Sequence, residues 1–246
     1  MKRTILAAAI AVFTLSGLQV KAQSNPANDQ RFKGEERSVA DFTGVYSGGY
    51  FNVFITIGEK ESLRIEADAA TLKDIETKVE KGVLKIQLNS KKRYWDWNTS
   101  DRKKVNIFIS AKVLTNVSAS GSGNMKVEGT IKAPDFRVSL SGSGNLDLNV
   151  ESVNLAAVVS GSGNMRLGGN SQNAQLMLSG SGNLAAVDFK AKNAEVSVSG
   201  SGNVNLKVEK KLKAITSGSG NIRYDGDPEV EETRSGSGKD FKNVIT

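Results

Sequence analysis

The chain has 246 residues, with 33 Lys plus Arg against 26 Asp plus Glu, and it contains neither cysteine nor histidine. Those two absences exclude a disulfide framework, a cysteine zinc site, a cysteine nucleophile, c-type haem attachment and a Ser-His-Asp triad. The length allows one or two domains. The apolar share is ordinary for a globular chain, so a core can form. Proline is scarce, and 18 of the 25 glycines lie after residue 118, which points to an internal repeat.

In chain order, the first 22 residues read as an export signal. Lys2 and Arg3 form a basic start, Ile5 to Leu18 is apolar or small, and Val20-Lys21-Ala22 supplies a small-residue cleavage site. The apolar run is shorter than the roughly 18–20 residues a spanning helix needs. No cysteine follows it, so the pattern is not that of a lipoprotein. Removing Lys2, Arg3 and Lys21 leaves 30 basic against 26 acidic groups, a charge of +4. That mild excess does not indicate nucleic acid as a partner. The expected location is the periplasm or the cell surface, with no transmembrane segment in the mature chain.

Residues 23–37 are polar and read as a disordered leader. From Ser38 short strands are expected at Gly44 to Ser47, Tyr50 to Ile57, Ser62 to Ala67, Ile75 to Val79, Val83 to Leu88 and Val105 to Ser110. Gly48-Gly49, Gly58-Glu59 and Lys81-Gly82 punctuate them as turns. Ala69 to Ile75 fits one short helical turn. Residues 38–118 therefore form an N-terminal β-region, either first coils of a solenoid or a small cap over its open end.

The second half repeats one unit. Ser120-Gly121-Ser122-Gly123-Asn124 recurs with Gly142, Gly144 and Asn145, with Gly161, Gly163 and Asn164, and with Gly180, Gly182 and Asn183. It recurs again with Gly200, Gly202 and Asn203, and with Gly218, Gly220 and Asn221. A seventh copy ends in Lys239 in place of asparagine. Successive copies lie 18 to 21 residues apart. Apolar residues fall on every second position on both sides of the motif. Met125, Leu146, Met165, Leu184, Val204 and Ile222 follow the asparagine by one residue. Val117, Val138, Ala157, Leu176, Val196 and Ala214 precede it by seven, and Thr115, Phe136, Leu155, Ala174, Ala194 and Leu212 by nine. Period two is a strand signal. About 19 residues at ~3.3 Å each trace one coil around a thin core. The expected fold is all-β, a right-handed parallel β-helix over 119–224 with Ser-Gly-Ser-Gly-Asn corners. Handedness follows the general crossover rule.

Glycine suits such a corner because it tolerates positive φ and close backbone approach. If the alternation runs through the corner, its glycines point inward while Ser and Asn point outward, and stacked coils then display ladders of Ser and of Asn. The seventh copy carries Glu232, Arg234 and Asp240 at inward-pattern positions, so 225–246 reads as a C-terminal cap or frayed tail.

The layout of Ser38 to Val45, Tyr50 to Ile57, Leu63 to Glu66, Gly82 to Ile86 and the repeated Ser-Gly-Ser-Gly-Asn resembles the head GIN domain family. That family of unknown function is common in secreted proteins of Bacteroidetes and is described as auto-transporter adhesins. The resemblance spans about residues 37–222. It implies a β-helix related in shape to pectin lyases, without conserved catalytic residues, and an adhesive role; no cofactor is expected. It supplies no site residues, and a trimer is implied only by the family's description.

One stretch has binding character. Arg93, Tyr94, Trp95 and Trp97, with Lys103 and Lys104 behind them, place both tryptophans beside a basic run. Aromatic faces next to cations suit a carbohydrate or an acidic envelope polymer. The same side chains could instead cover an open end of the core. The cluster Lys207, Lys210, Lys211 and Lys213 reads as a solvated face. The acids of the repeats, Glu128, Asp135, Asp147, Glu151, Asp188, Glu195 and Glu209, fall in different registers and form no catalytic constellation. The function expected is a non-catalytic envelope or surface module that binds or spaces. A polysaccharide-binding protein using the Trp95/Trp97 loop is the alternative, and a polysaccharide lyase or hydrolase is a third.

Overall fold

Each repeat unit folds as one coil because its apolar residues alternate along an extended chain and close on themselves at glycine corners. The computed structural model describes residues 33–89 and 104–242. Its elements are β1 (Lys33–Arg37), β2 (Gly44–Gly49), β3 (Asn52–Ile57), β4 (Ser62–Ala67), α1 (Ala69–Asp74), β5 (Ile75–Glu80), β6 (Val83–Leu88), β7 (Asn106–Ala111) and β8 (Asn116–Gly121). They continue with β9 (Asn124–Gly142), β10 (Asn145–Gly161), β11 (Asn164–Gly180), β12 (Asn183–Gly200) and β13 (Asn203–Gly218). The last three are β14 (Asn221–Asp225), β15 (Glu229–Gly236) and β16 (Lys239–Lys242). From β9 to β13 each strand starts at a motif asparagine and ends at the next motif's first glycine. These strands pair in parallel, coil on coil, in motif register: Asn145 with Asn164, Asn164 with Asn183, Asn183 with Asn203. The protein is a parallel β-helix.

The alternating apolar columns fill the interior. Met125, Leu146, Met165, Leu184, Val204 and Ile222 are buried, as are Val117, Val138, Ala157, Leu176, Val196 and Ala214. Thr115 is an exception in the third column: it is exposed and Leu114 is buried instead. The pattern slips there because the chain enters that coil by a crossover rather than from a preceding corner. In β9, β10 and β11 the alternation breaks a second time, at Pro134-Asp135, Val153-Asn154 and Gln172-Asn173, where two consecutive side chains are exposed. A chain turning a convex corner points neighbouring side chains outward in this way.

The motif corner has a specific geometry. Gly161 has φ +112, and a Cβ there would lie 2.6 Å from the carbonyl oxygen of Gly142 on the previous coil. Gly163 has no unusual φ, yet its Cβ would lie 2.6 Å from the oxygen of Gly144. Those carbonyls are close because they accept the corner's N–H groups: Ser162 and Gly163 both donate to Gly142 O, and Asn164 donates to Gly144 O, at 2.9–3.0 Å. The glycine hydrogens thus face the coil below. Gly163 is also buried, and its Cβ would meet the core side chain of Leu140 at 2.9 Å, so the second glycine combines the inward orientation that alternation predicts with close contact to the coil below.

The N-terminal region contributes both coils and a cover, in an order the sequence does not follow. Along one face the strands run β1-β4-β7-β3-β9-β10, so β7 lies outside β3 although it comes later in the chain. On the adjoining face β6 pairs with β2, and β2 pairs with β8. The β2–β3 coil is therefore sandwiched between the later β6–β7 coil and the β8–β9 coil. Residues 112–115 pass over it, and Thr115 N–H donates to Thr43 O at 2.8 Å on the way. Antiparallel strands close this end, β4 on β7 and β5 on β6. Asp68 caps α1 between them by accepting from Ala70 N–H and Thr71 N–H.

Residues 33–37, expected to end a disordered leader, form β1 on the edge of β4. Arg37 fixes it: its guanidinium donates to Leu72 O at 2.9 Å, to Ile75 O at 2.7 Å and to Glu35. An otherwise bare sheet edge is thereby paired. At the other end, the seventh copy continues the ladder rather than fraying, since β15 pairs with β13 and β16 with β14. All eight β15 residues are exposed, and Arg234 pairs with Glu232. Charged residues fit the inward positions of this coil because no described coil lies above it. The export signal 1–22 lies outside the described residues, and no described helix is long and apolar enough to cross a membrane.

Candidate functional site

The corner motif converts one outward column into a chain of amides. Asn124 donates its Nδ2–H to Oδ1 of Asn52 at 3.1 Å, and Asn145, Asn164, Asn183, Asn203 and Asn221 each donate to the asparagine one coil earlier at 2.8–3.1 Å. Asn52 donates to Asn106 at 3.3 Å. At the far end the backbone N–H of Lys239 donates to Asn221 Oδ1. Two members, Asn52 and Asn106, belong to no motif copy and are invisible to a motif search. An asparagine amide has two N–H donors and two acceptor positions. Each interior member spends one of each on its neighbours and keeps one of each.

Beside this ladder runs a second outward row. Register places Arg64 opposite Phe108, Phe108 opposite Phe54, Phe54 opposite Lys126, Lys126 opposite Asp147 and Asp147 opposite Arg166. The two phenylalanine rings stack, with centroids 5.3 Å apart and planes at 17°. A groove of about 670 Å³ follows the ladder from Asn52 to Asn183 with Phe54, Lys126, Asp147 and Arg166 along it. A second groove of about 590 Å³ meets it at Phe54 and continues past Phe108 and Arg64 toward β1.

A second amide ladder lies at the other convex corner. Asn154 donates to Asp135 Oδ1 at 2.8 Å, Asn173 to Asn154 at 3.0 Å and Asn193 to Asn173 at 3.1 Å. Lys211 and Glu229 continue the column, 3.6 Å apart. It borders a groove of about 890 Å³ whose other wall includes Arg137, Gln175, Glu195 and Lys213. Asp135 is thus a ladder residue rather than a scattered acid. A signal for this ladder was available: its members stand ten residues before the motif asparagines.

Of the aromatic-basic stretch, Arg93, Tyr94, Trp95, Trp97 and Lys103 lie outside the described residues. Lys104 is exposed and precedes Val105, whose carbonyl accepts from Asn52 N–H at 2.9 Å. In the lysine cluster, Lys211 pairs with Glu229 and Lys213 with Glu195, while Lys207 and Lys210 are exposed.

The electrostatics are those of surface ion pairs. Hydrogen bonds from Lys78 and then Lys85 hold the Glu80 carboxyl down, to about 2. The hydrogen bond from Lys190 lowers Glu209, and that from Lys242 lowers Asp227. Each of these shifts favours the ionised form, the opposite of what a general acid requires. Among the described residues no three acidic side chains gather as a metal cage.

A solenoid whose outer faces carry amide ladders, an aromatic pair and open grooves belongs to the class of parallel β-helix proteins with extended side surfaces. Residues 41–228 match the family model described as "Putative auto-transporter adhesin, head GIN domain", and the chain belongs to that family. Among solved structures it resembles a "putative adhesin" from Bacteroides fragilis, with TM-score 0.79 and 22% identity over 87% of this chain and 97% of that one. A "putative adhesin" from Parabacteroides merdae gives TM-score 0.68 and 20% identity over the same shares. A "putative lipid binding protein" from Parabacteroides distasonis gives 0.67 and 23%, again over 87% and 97%. At these identities the likeness establishes the fold. No curated protein matches.

Proposed function

We propose that this protein is a non-catalytic, adhesin-like module of the cell envelope that binds a partner along its outer faces. The observation that carries this reading is the continuous polar ladder with grooves beside it, on a family framework described as adhesin. A scaffold that only spaced other domains would gain nothing from an aromatic pair in the middle of a polar face. The Trp95/Trp97 stretch is a second candidate contact, and replacing both tryptophans by alanine tests it through polymer binding and melting temperature.

Protease treatment of intact native cells tests the placement, with a periplasmic protein as leakage control. Cleavage of this protein while the control stays intact is the expected result. Full protection until the outer membrane is broken would sink the adhesive role.

A further inference from the structure

The Phe54–Phe108 pair is out of keeping with its surroundings. Its outward neighbours on β3 and β7 are Asn52, Thr56, Asn106 and Ser110, all polar. Phe108 is 38% exposed and Phe54 half-buried, so neither ring is needed to fill the core. The pair therefore presents apolar aromatic surface at the junction of two grooves. One row away stands the amide ladder, each interior member with an unspent N–H and an unspent acceptor position.

These features select a ligand. The two rings stack on each other, so outward they show their rims and the exposed part of their surface, an apolar patch on which the C–H face of a pyranose ring can pack. A carboxamide with one donor and one acceptor left over is matched by another amide, such as the acetamido group of an N-acetylated sugar. The ladder repeats at about 4.8 Å per coil, so the groove from β3 to β12 extends roughly 19 Å, room for several sugar rings laid along the axis. Charge does not dominate the choice. Lys126 and Arg166 are offset by Asp147 between them, and Arg64 is already paired with Glu66 at 2.6 Å. A strongly anionic polymer would call for an uncompensated basic stripe.

From this geometry we infer that the face formed by Phe54, Phe108, Asn52, Asn124, Lys126 and Arg166 is a binding site for a glycan of N-acetylated sugars, packed against the phenylalanine pair and hydrogen-bonded to the ladder amides. The inference rests on the adhesin-like reading above and names its ligand class.

Calorimetric titration of the purified protein with the β-1,4-linked hexamer of N-acetylglucosamine tests it. The expected result is saturable binding that weakens at least about tenfold, near 1.4 kcal/mol, in F54L/F108L. Leucine keeps apolar contact between the strands but removes the exposed aromatic surface, and an unchanged melting temperature verifies that the variant is folded. A second variant, K126A/R166A, lies wholly on the surface and is expected to weaken binding by a smaller factor. Cellohexaose, which lacks the acetamido groups, is expected to bind at least about tenfold more weakly than the N-acetylated hexamer. Absence of binding, equal affinity for F54L/F108L, equal affinity for cellohexaose, or preference for oligothymidylate over the hexamer would each overturn the inference. The two readings fail separately: a protein cleaved on intact cells that ignores the hexamer loses this site but keeps its adhesive role.

Discussion

The two ends of this solenoid solve the same corner by different means. In the repeat, every corner sits on another corner, and the second glycine is needed because a carbonyl of the coil below occupies the space of a Cβ. In the β2–β3 coil the corresponding residues are Gly49, Tyr50, Phe51 and Asn52. Gly49 and Asn52 keep their places, but Phe51 stands where later coils have glycine, and it is 1% exposed. The strand outside it, β7, is reached by the long connection 89–105 rather than by a five-residue corner. Glycine in this fold is therefore a consequence of what lies on the next coil, not of the bend alone.

That contrast can be broken most sharply by exchanging the two solutions. Gly163→Ala drives a Cβ into the Gly144 carbonyl and is expected to destabilise the protein by about 3 kcal/mol or more in urea unfolding. Phe51→Ala, at the equivalent position of the other region, is expected to cost about 3–5 kcal/mol for the opposite reason, a cavity. A neutral outcome at either position would show that coil contact does not set the residue. Arg37→Ala comes next. It removes several hydrogen bonds from a charged donor that ties β1 to the α1–β5 segment, and about 2–3 kcal/mol is expected. Rapid hydrogen exchange confined to 33–37 and its partner strand would locate the loss. In the ladder, Asn164→Ala breaks two amide bonds and should cost about 1 kcal/mol, whereas Asn106→Ala at the terminus breaks one and should cost less.

The smallest effect concerns Glu80. Its carboxyl is ionised and paired with Lys78 and Lys85 in the folded protein, with its pKa lowered from 4.5 to about 2. The stability this pairing contributes is present above about pH 4.5 and is lost as pH falls through about 2. Wild type should thus lose melting temperature between pH 5 and 2 by slightly more than Glu80→Gln does, and physiological salt should shrink the difference because the pair is exposed.

Much of this architecture was legible because repetition and period two survive in the sequence. The motif asparagines and the apolar columns mark one face and the core directly. Strands β3 to β7 were placed to within about two residues by β-branched runs between glycines. Thr115 failed because local alternation cannot register a crossover. The interleaving of β6–β7 outside β2–β3 was not legible at all, since parallel pairing partners are chosen by tertiary packing rather than by neighbours in sequence. Asn52 and Asn106 were missed for the same reason: each joins the ladder through a strand pairing, not through a motif. The second ladder is signalled in the sequence only by its ten-residue offset from the motif asparagines. The aromatic-basic stretch drew attention by composition, while the Phe54–Phe108 pair, 54 residues apart in sequence, becomes a feature only once β3 and β7 are side by side.

The most direct test of the claim that the face beside the long ladder is the working surface uses the asparagine side-chain amides themselves. Their NMR signals can be followed as the N-acetylglucosamine hexamer is added. Shifts are expected for Asn52, Asn124, Asn145 and Asn164, with Asn154, Asn173 and Asn193 of the other ladder unmoved. Shifts confined to the second ladder, or none in either, would contradict it.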